Sequence, residues 1–367
     1  MIFNQKLKHE AIILVISSFF QLNNFLSFFD EKKLIKGRKV FLLVFSDTVS
    51  EKLIFHFKEY IEKFSVVEVI DMRRKNNGLN QKFVNIKFIK VLYYYFFVFK
   101  KIFKIKKSFL ISSFTTYTKL QFPTLFFIII ISPLKIFLLE DGMGEYVHSK
   151  KNMKKSLTIF LFIKVLIYKK QNICTLQLAK SRKDYFGLLG QPFFGEKNFF
   201  DNREFFKNFI KKSFSDKISF NPKCLLIATK SSPHNFEFNK NLYIKTLIEI
   251  NKKYSYSPNQ ILFCPHPREE LIYFEELVND LSLYSNINKV SSHVVENFLS
   301  QDNLEIVIGA FSSTLYYAKT IFNINQVYYI DDYEDPSRSL VNRDDYINIY
   351  NPLNIKKFKL MTNYEIE

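Results

Sequence analysis

Three short motifs in this chain carry residue types that do chemistry together. Glu140 and Asp141 stand side by side ahead of Gly142, in the stretch Glu140-Asp141-Gly142-Met143-Gly144-Glu145-Tyr146. Adjacent carboxylates compete for protons, which suits one of them to take the proton from a hydroxyl nucleophile. Gly142 permits the sharp turn that leads on from them. His266 lies between Pro265 and Pro267. The two rings leave its backbone few conformations, and a rigidly placed imidazole can meet a leaving phosphate or hand it a proton. Gly309-Ala310-Phe311-Ser312-Ser313-Thr314 ends in three hydroxyls, followed by a helical pattern from Leu315. Hydroxyls and free N–H groups at a helix start make an anion site. Each motif also has a plainer reading: an Asp-Gly turn, a structural histidine, an N-cap at Ser312 or Ser313.

Each motif follows an apolar run of strand length. Expected strands are Ala11–Ile16, Val40–Phe45, Val66–Val69, Phe109–Ser112, Leu134–Leu139 and Ile173–Leu176, then Cys224–Ala228, Gln260–Cys264, Leu304–Ile308 and Val327–Ile330. Continuous apolar strands alternating with amphipathic helices indicate an α/β protein with buried parallel sheets. The polar, helix-prone stretch Gly195–Asn221 separates two such sets, which places a domain boundary within 205–220. In two Rossmann-like domains, ligands gather at the C-terminal ends of the strands, where all three motifs fall. Two softer sites share that position. Thr229-Lys230-Ser231-Ser232 follows the strand Cys224–Ala228, so Ser231 is a further candidate for phosphate. The turn from Ser17 to Asn24 follows the first strand and brings Ser18 and Asn24 toward the opposite side of a cleft.

The chain has 367 residues, 47% of them apolar, so two domains with buried cores are affordable in length. Its formal net charge of +18 points to an anionic partner. No zinc-finger, RNP or helix-turn-helix pattern accompanies the lysines, so an anionic membrane and an anionic substrate are expected in place of nucleic acid. Cys174, Cys224 and Cys264 have neither disulfide nor metal-site spacing, which suggests a reducing compartment. The N-terminal apolar run Ala11–Phe20 lacks a small-residue cleavage site and is too short to span a bilayer. Val91–Lys107 mixes aromatics with lysines as an interfacial helix does. Leu120–Leu139 is interrupted by Pro123 and Pro133 and reads as a short helix and a buried strand.

The ordered set Glu140-Asp141-Gly142, His266-Pro267 and Ser312-Ser313 resembles the acidic-acidic-Gly, His-Pro and Ser-Ser motifs of bacterial sialyltransferases. The stretch around Glu140 is most similar to the polysialyltransferase and lipooligosaccharide sialyltransferase groups. The resemblance implies a GT-B fold, with two Rossmann-like domains facing a central cleft. Residues 1–210 would bind the acceptor and carry the base, and 211–345 would bind the CMP-sugar. The tail 346–367 would pack back on the first domain. It further implies inverting, metal-independent transfer of sialic acid from CMP-sialic acid to a capsule or lipooligosaccharide glycan, with no cofactor. Asp141, or Glu140 beside it, would be the base and His266 the acid. Ser312 and Ser313, with Pro267, Thr314 and Ser231, would hold the phosphate. Gly142, Ser18 and Asn24 would lie toward the acceptor. The expected place is the inner face of the cytoplasmic membrane, peripherally bound. A GT-B enzyme with another nucleotide-activated donor, and a membrane-associated protein whose motifs are only turns, are the competing readings.

Overall fold

Thirteen strands form two parallel sheets in the computed structural model, which describes residues 9–44, 51–71, 87–117, 128–139, 172–177, 199–214, 222–229, 232–266, 269, 271–288, 295–331 and 343–360. The first sheet takes β1 (His9–Val15), β2 (Lys39–Val44), β3 (Val67–Asp71), β4 (Phe109–Tyr117), β5 (Lys135–Leu139), β6 (Asn172–Gln177) and β7 (Phe199–Asp201). Their order is β3-β2-β1-β4-β5-β6-β7, every pair parallel. The second takes β8 (Cys224–Ile227), β9 (Ile261–Cys264), β10 (Asn286–Ile287), β11 (Ile306–Gly309), β12 (Gln326–Tyr329) and β13 (Lys356–Lys357). Its order is β10-β9-β8-β11-β12-β13, again parallel throughout. Counted from its own first strand, each sheet begins in the 3-2-1-4-5-6 order of a doubly wound fold.

The sequence dictates this through burial on both faces. β8, β9 and β11 are buried at every position, and β5 at all but its first. Such strands need helices above and below, and parallel crossovers supply them. In the first unit Ile13, Val15, Phe41, Phe114 and Leu138 join Ile102 and Ile105 of the helix Lys87–Ser108 in one core. In the second, Leu226, Phe263 and Ile308 pack with Tyr243 and Leu247 of the helix Phe236–Tyr254 and Leu277 of the helix Leu271–Leu281.

The ten expected strands are all present, shifted at their ends. β7, β10 and β13 were not expected; two or three residues long, they leave too little pattern to read. The chain divides into two compact units, and the described residues pass from one to the other at Phe206 and Lys207, inside the helix Arg203–Phe214. The first domain had been expected to end at 210. Residues 343–360 belong to the second unit, where β13 pairs with β12 and Phe358 enters the core.

Buried amides tie the first unit's edge strands to the helix Phe19–Glu31. Asn202 Nδ2, beyond β7, donates to Asn24 Oδ1 at 2.7 Å, to the Asn24 carbonyl at 3.0 Å and to Ser27 Oγ at 2.9 Å. Asn24 Nδ2 reaches the Leu176 carbonyl in β6 at 3.4 Å. Asn202→Ala removes the shared donor and leaves the buried side-chain acceptors Asn24 Oδ1 and Ser27 Oγ without it. The expected loss of stability is about 2–3 kcal/mol, visible as a lower urea midpoint with an unchanged m-value.

Candidate active site

The second unit brings its motifs together through strand register. Ile227 is paired with Cys264 on one side and with Gly309 on the other. Thr229, His266 and Phe311 each lie two residues further on, so all three leave the sheet at the same end. β8 is where the order reverses: one connection leads to β9, and the chain later returns to β11 on the opposite flank. The crevice between the ends of β8 and β11 is therefore the ligand position that this topology builds. Gly309 lets the two strands meet there. A Cβ at Gly309 would stand 3.0 Å from Ile227 Cβ and 3.2 Å from its carbonyl oxygen.

Ser312 is the N-cap of the helix Ser313–Thr320, in extended conformation (φ −152°, ψ 156°). Its side chain makes no capping bond, and its Oγ is buried with no hydrogen-bond partner in the protein. Ser312 is thus the N-cap by position, as the plainer reading has it, without a capping bond from its hydroxyl. The Ser312 peptide is held from the far end of the chain. Its N–H donates to Tyr350 Oη at 2.9 Å, and Tyr350 Oη donates to the Ser312 carbonyl at 2.7 Å. Burial, with Tyr346 nearby, pushes the Tyr350 hydroxyl well above its ordinary pKa against the opposing bond to Ser312, so it stays protonated and able to do both. Phe311 stacks on Tyr329, Tyr346 and Tyr350 with ring centres 4.9, 5.4 and 5.9 Å apart, which fixes the turn from the other side.

Tyr350→Phe keeps the stack and removes both bonds. The variant should lose about 1–3 kcal/mol of stability. The melting temperature checks this.

Thr314 had been expected to face phosphate with Ser312 and Ser313. It is buried, and its Oγ1 donates to Glu296 Oε1 at 3.3 Å. Burial pushes the Glu296 carboxyl above the usual range, while its own backbone N–H and Thr314 pull it down. Thr314 therefore fixes the first turn of the helix against the segment Val295–Asn297. His266 is half-buried beyond β9, and its carbonyl accepts the Glu269 N–H at 2.9 Å. Thr229 is pinned at the end of β8: its N–H donates to Tyr243 Oη at 3.0 Å, and Asn239 Nδ2 donates to its Oγ1 at 3.3 Å. Ser232 is held by Asn235 Oδ1 through N–H and hydroxyl at 2.7 and 2.9 Å. Both described ends of the loop, Thr229 and Ser232, are thus held by hydrogen bonds. Ser231 and Pro267 lie outside the described residues, as do Glu140, Asp141 and Gly142.

In the first unit, Ser18 caps the helix Phe19–Glu31, its side chain accepting the Gln21 N–H at 3.3 Å. Asn24 is 0% exposed and committed to Asn202 and Leu176, so in this structure its amide serves the fold and does not face an acceptor. Tyr350 and Glu296 were missed in the sequence. Nothing near Tyr350 signals a bond to a residue 38 positions earlier. Glu296 did carry a signal, an acid set between Val294-Val295 and Phe298-Leu299, which is the pattern of a buried turn.

The model of the Alpha-2,8-polysialyltransferase (POLYST) family matches residues 12–331 of this chain. That span runs from the first strand through the end of β12 and includes all three motifs. Among curated proteins, no sequence matches. Similar solved structures include a sialyltransferase from Photobacterium damsela, with a TM-score of 0.51 at 12% identity over 96% of this chain and 81% of that one. Another is an alpha/beta-galactoside alpha-2,3-sialyltransferase from Photobacterium phosphoreum, with a TM-score of 0.49 at 11% identity over 96% and 99%. At 12% identity the likeness to the Photobacterium damsela enzyme is one of fold, and the fold is GT-B.

Proposed function

Because the chain belongs to the alpha-2,8-polysialyltransferase family, we propose that it transfers sialic acid from CMP-sialic acid to a glycan acceptor, with inversion and without a metal. The observation that carries this reading is the buried Ser312 Oγ, a hydroxyl without a protein partner at a helix N-terminus. An unpaired buried hydroxyl costs about 1–3 kcal/mol, which a bound anion accepting from it would offset. CMP-sialic acid carries one phosphate, and one phosphate can be held by a hydroxyl, helix N–H groups and an imidazole.

The reaction then runs as a single displacement. Asp141 or Glu140 takes the proton of the acceptor hydroxyl, whose oxygen bonds to the anomeric carbon. The bond from that carbon to the phosphate oxygen breaks on the opposite face. The electron pair leaves with CMP, whose phosphate takes a proton from His266 or is neutralised by it. Ser312 and Ser313 hold the departing phosphate, with Ser231 and Pro267 beside it. Acceptors already ending in sialic acid, as in a capsule or lipooligosaccharide, are the first to try, given the family's description. We place the protein peripherally at the inner face of the cytoplasmic membrane, where such glycans would be assembled. Among the described residues, no helix is long and apolar enough to cross a membrane.

The test is CMP release in the presence of EDTA from CMP-sialic acid, with CMP-Kdo and UDP- and GDP-sugars as competing donors. Turnover with CMP-sialic acid alone is expected. Turnover with another donor, or only after divalent metal is restored, contradicts the reading.

A further inference from the structure

The helix Lys87–Ser108 buries one side and leaves another apolar side uncovered. Ile102 and Ile105 face the core of the first unit. Phe96, Phe99 and Phe103 are 67%, 38% and 54% exposed, and Phe99 stacks on Phe103 with ring centres 6.0 Å apart. At 3.6 residues per turn, positions 96, 100, 103 and 107 share the side opposite Ile102 and Ile105. Lys100, Lys104 and Lys107 are exposed, and Lys100 and Lys107 lie on that side among the rings. No Asp or Glu occurs anywhere in the 22 residues. Just beyond the helix, Leu110, Ile129 and Leu134 are exposed as well, and Lys106 Nζ ties the helix to the Ile130 carbonyl at 2.5 Å.

We propose that this face docks on an anionic lipid bilayer, the phenylalanines entering the interface and the lysines meeting the headgroups. Lysines at a helix C-terminus also complement its dipole, but that leaves the exposed rings unexplained. A soluble polyanion would account for the lysines and equally leave the rings in water. Rings and ammonium groups on one side, without a carboxylate, match an interface that is apolar beneath a negative surface. The net charge of +18 acts in the same direction. The inference gives the peripheral location proposed above a surface, and it does not rest on the donor chemistry.

The experiment is sedimentation of the full chain with vesicles of phosphatidylcholine alone or mixed with phosphatidylglycerol. Wild type, Phe96→Ser/Phe103→Ser and Lys100→Glu/Lys107→Glu are compared. Wild type should sediment with the anionic vesicles and remain in solution with the neutral ones. Each double variant should partition about tenfold less or weaker still, with an unchanged melting temperature, since the altered side chains are exposed. CMP release with a water-soluble acceptor, read separately, should be unchanged in both variants, so that failure of docking and failure of the transferase reading are distinct results. Vesicle binding by either variant equal to wild type overturns the proposal, as does the absence of any binding by wild type. So does loss of binding in the lysine variant alone, with release of wild type by a soluble anionic glycan, which would make the face a polyanion site.

Discussion

His266→Ala should lower the rate of CMP release by about 10²–10⁴-fold while the protein stays folded. The register of β8, β9 and β11 puts His266 at the same end of the sheet as Thr229 and Phe311, one strand from the crevice. His266 is half-buried, and its carbonyl accepts the Glu269 N–H. That bond uses the backbone, so alanine at 266 can keep it while removing the ring. An acid that helps the phosphate leave acts on the breaking bond. Its loss should therefore appear in kcat, with the binding of CMP itself changed far less. A purely structural histidine predicts the reverse, with lowered stability and a kcat that recovers once only the folded fraction is counted.

Ser312→Ala should separate activity from stability in sign. An N-cap serine that does its usual work costs about 1 kcal/mol when replaced by alanine. Ser312 Oγ makes no capping bond and has no other partner in the protein, so that loss is not expected. Removing an unpaired buried hydroxyl should leave the melting temperature of the unliganded protein unchanged or slightly raised. Turnover should meanwhile fall about 10²–10³-fold, the usual effect of losing one donor to a developing oxyanion. Tyr350, which holds the Ser312 backbone through Oη, remains to keep the turn in place in this variant.

The sheets were legible because buried parallel strands are written as unbroken apolar runs. β8, β9 and β11 have no position to spare for a polar residue, and their runs mark where each motif begins. The order of strands was not written locally. That β8 lies between β9 and β11 follows from right-handed crossovers and the packing of helices on both faces, and only the folded chain displays it. Ser312 stood out because three hydroxyls precede a helix. How its backbone is held is set by Tyr350, 38 residues away, which no local pattern announces. Asn24 shows the opposite limit. A polar residue at a helix start looks ready for a ligand, yet Asn202, 178 positions later, claims its amide. The last strand was illegible for the same reason: the two residues of β13 are too few to announce that they pair with β12.

The claim at the centre is that the Ser312 hydroxyl receives the phosphate of a CMP-linked donor. Calorimetric titration of CMP into the full chain in EDTA, for wild type and Ser312→Ala, tests it most directly. Saturable binding to wild type is predicted, weakened about tenfold or more in the variant, as the loss of one charge-assisted hydrogen bond of about 1.5–3 kcal/mol requires. Equal affinity in the two proteins, or no binding of CMP to a folded wild-type chain, would contradict it.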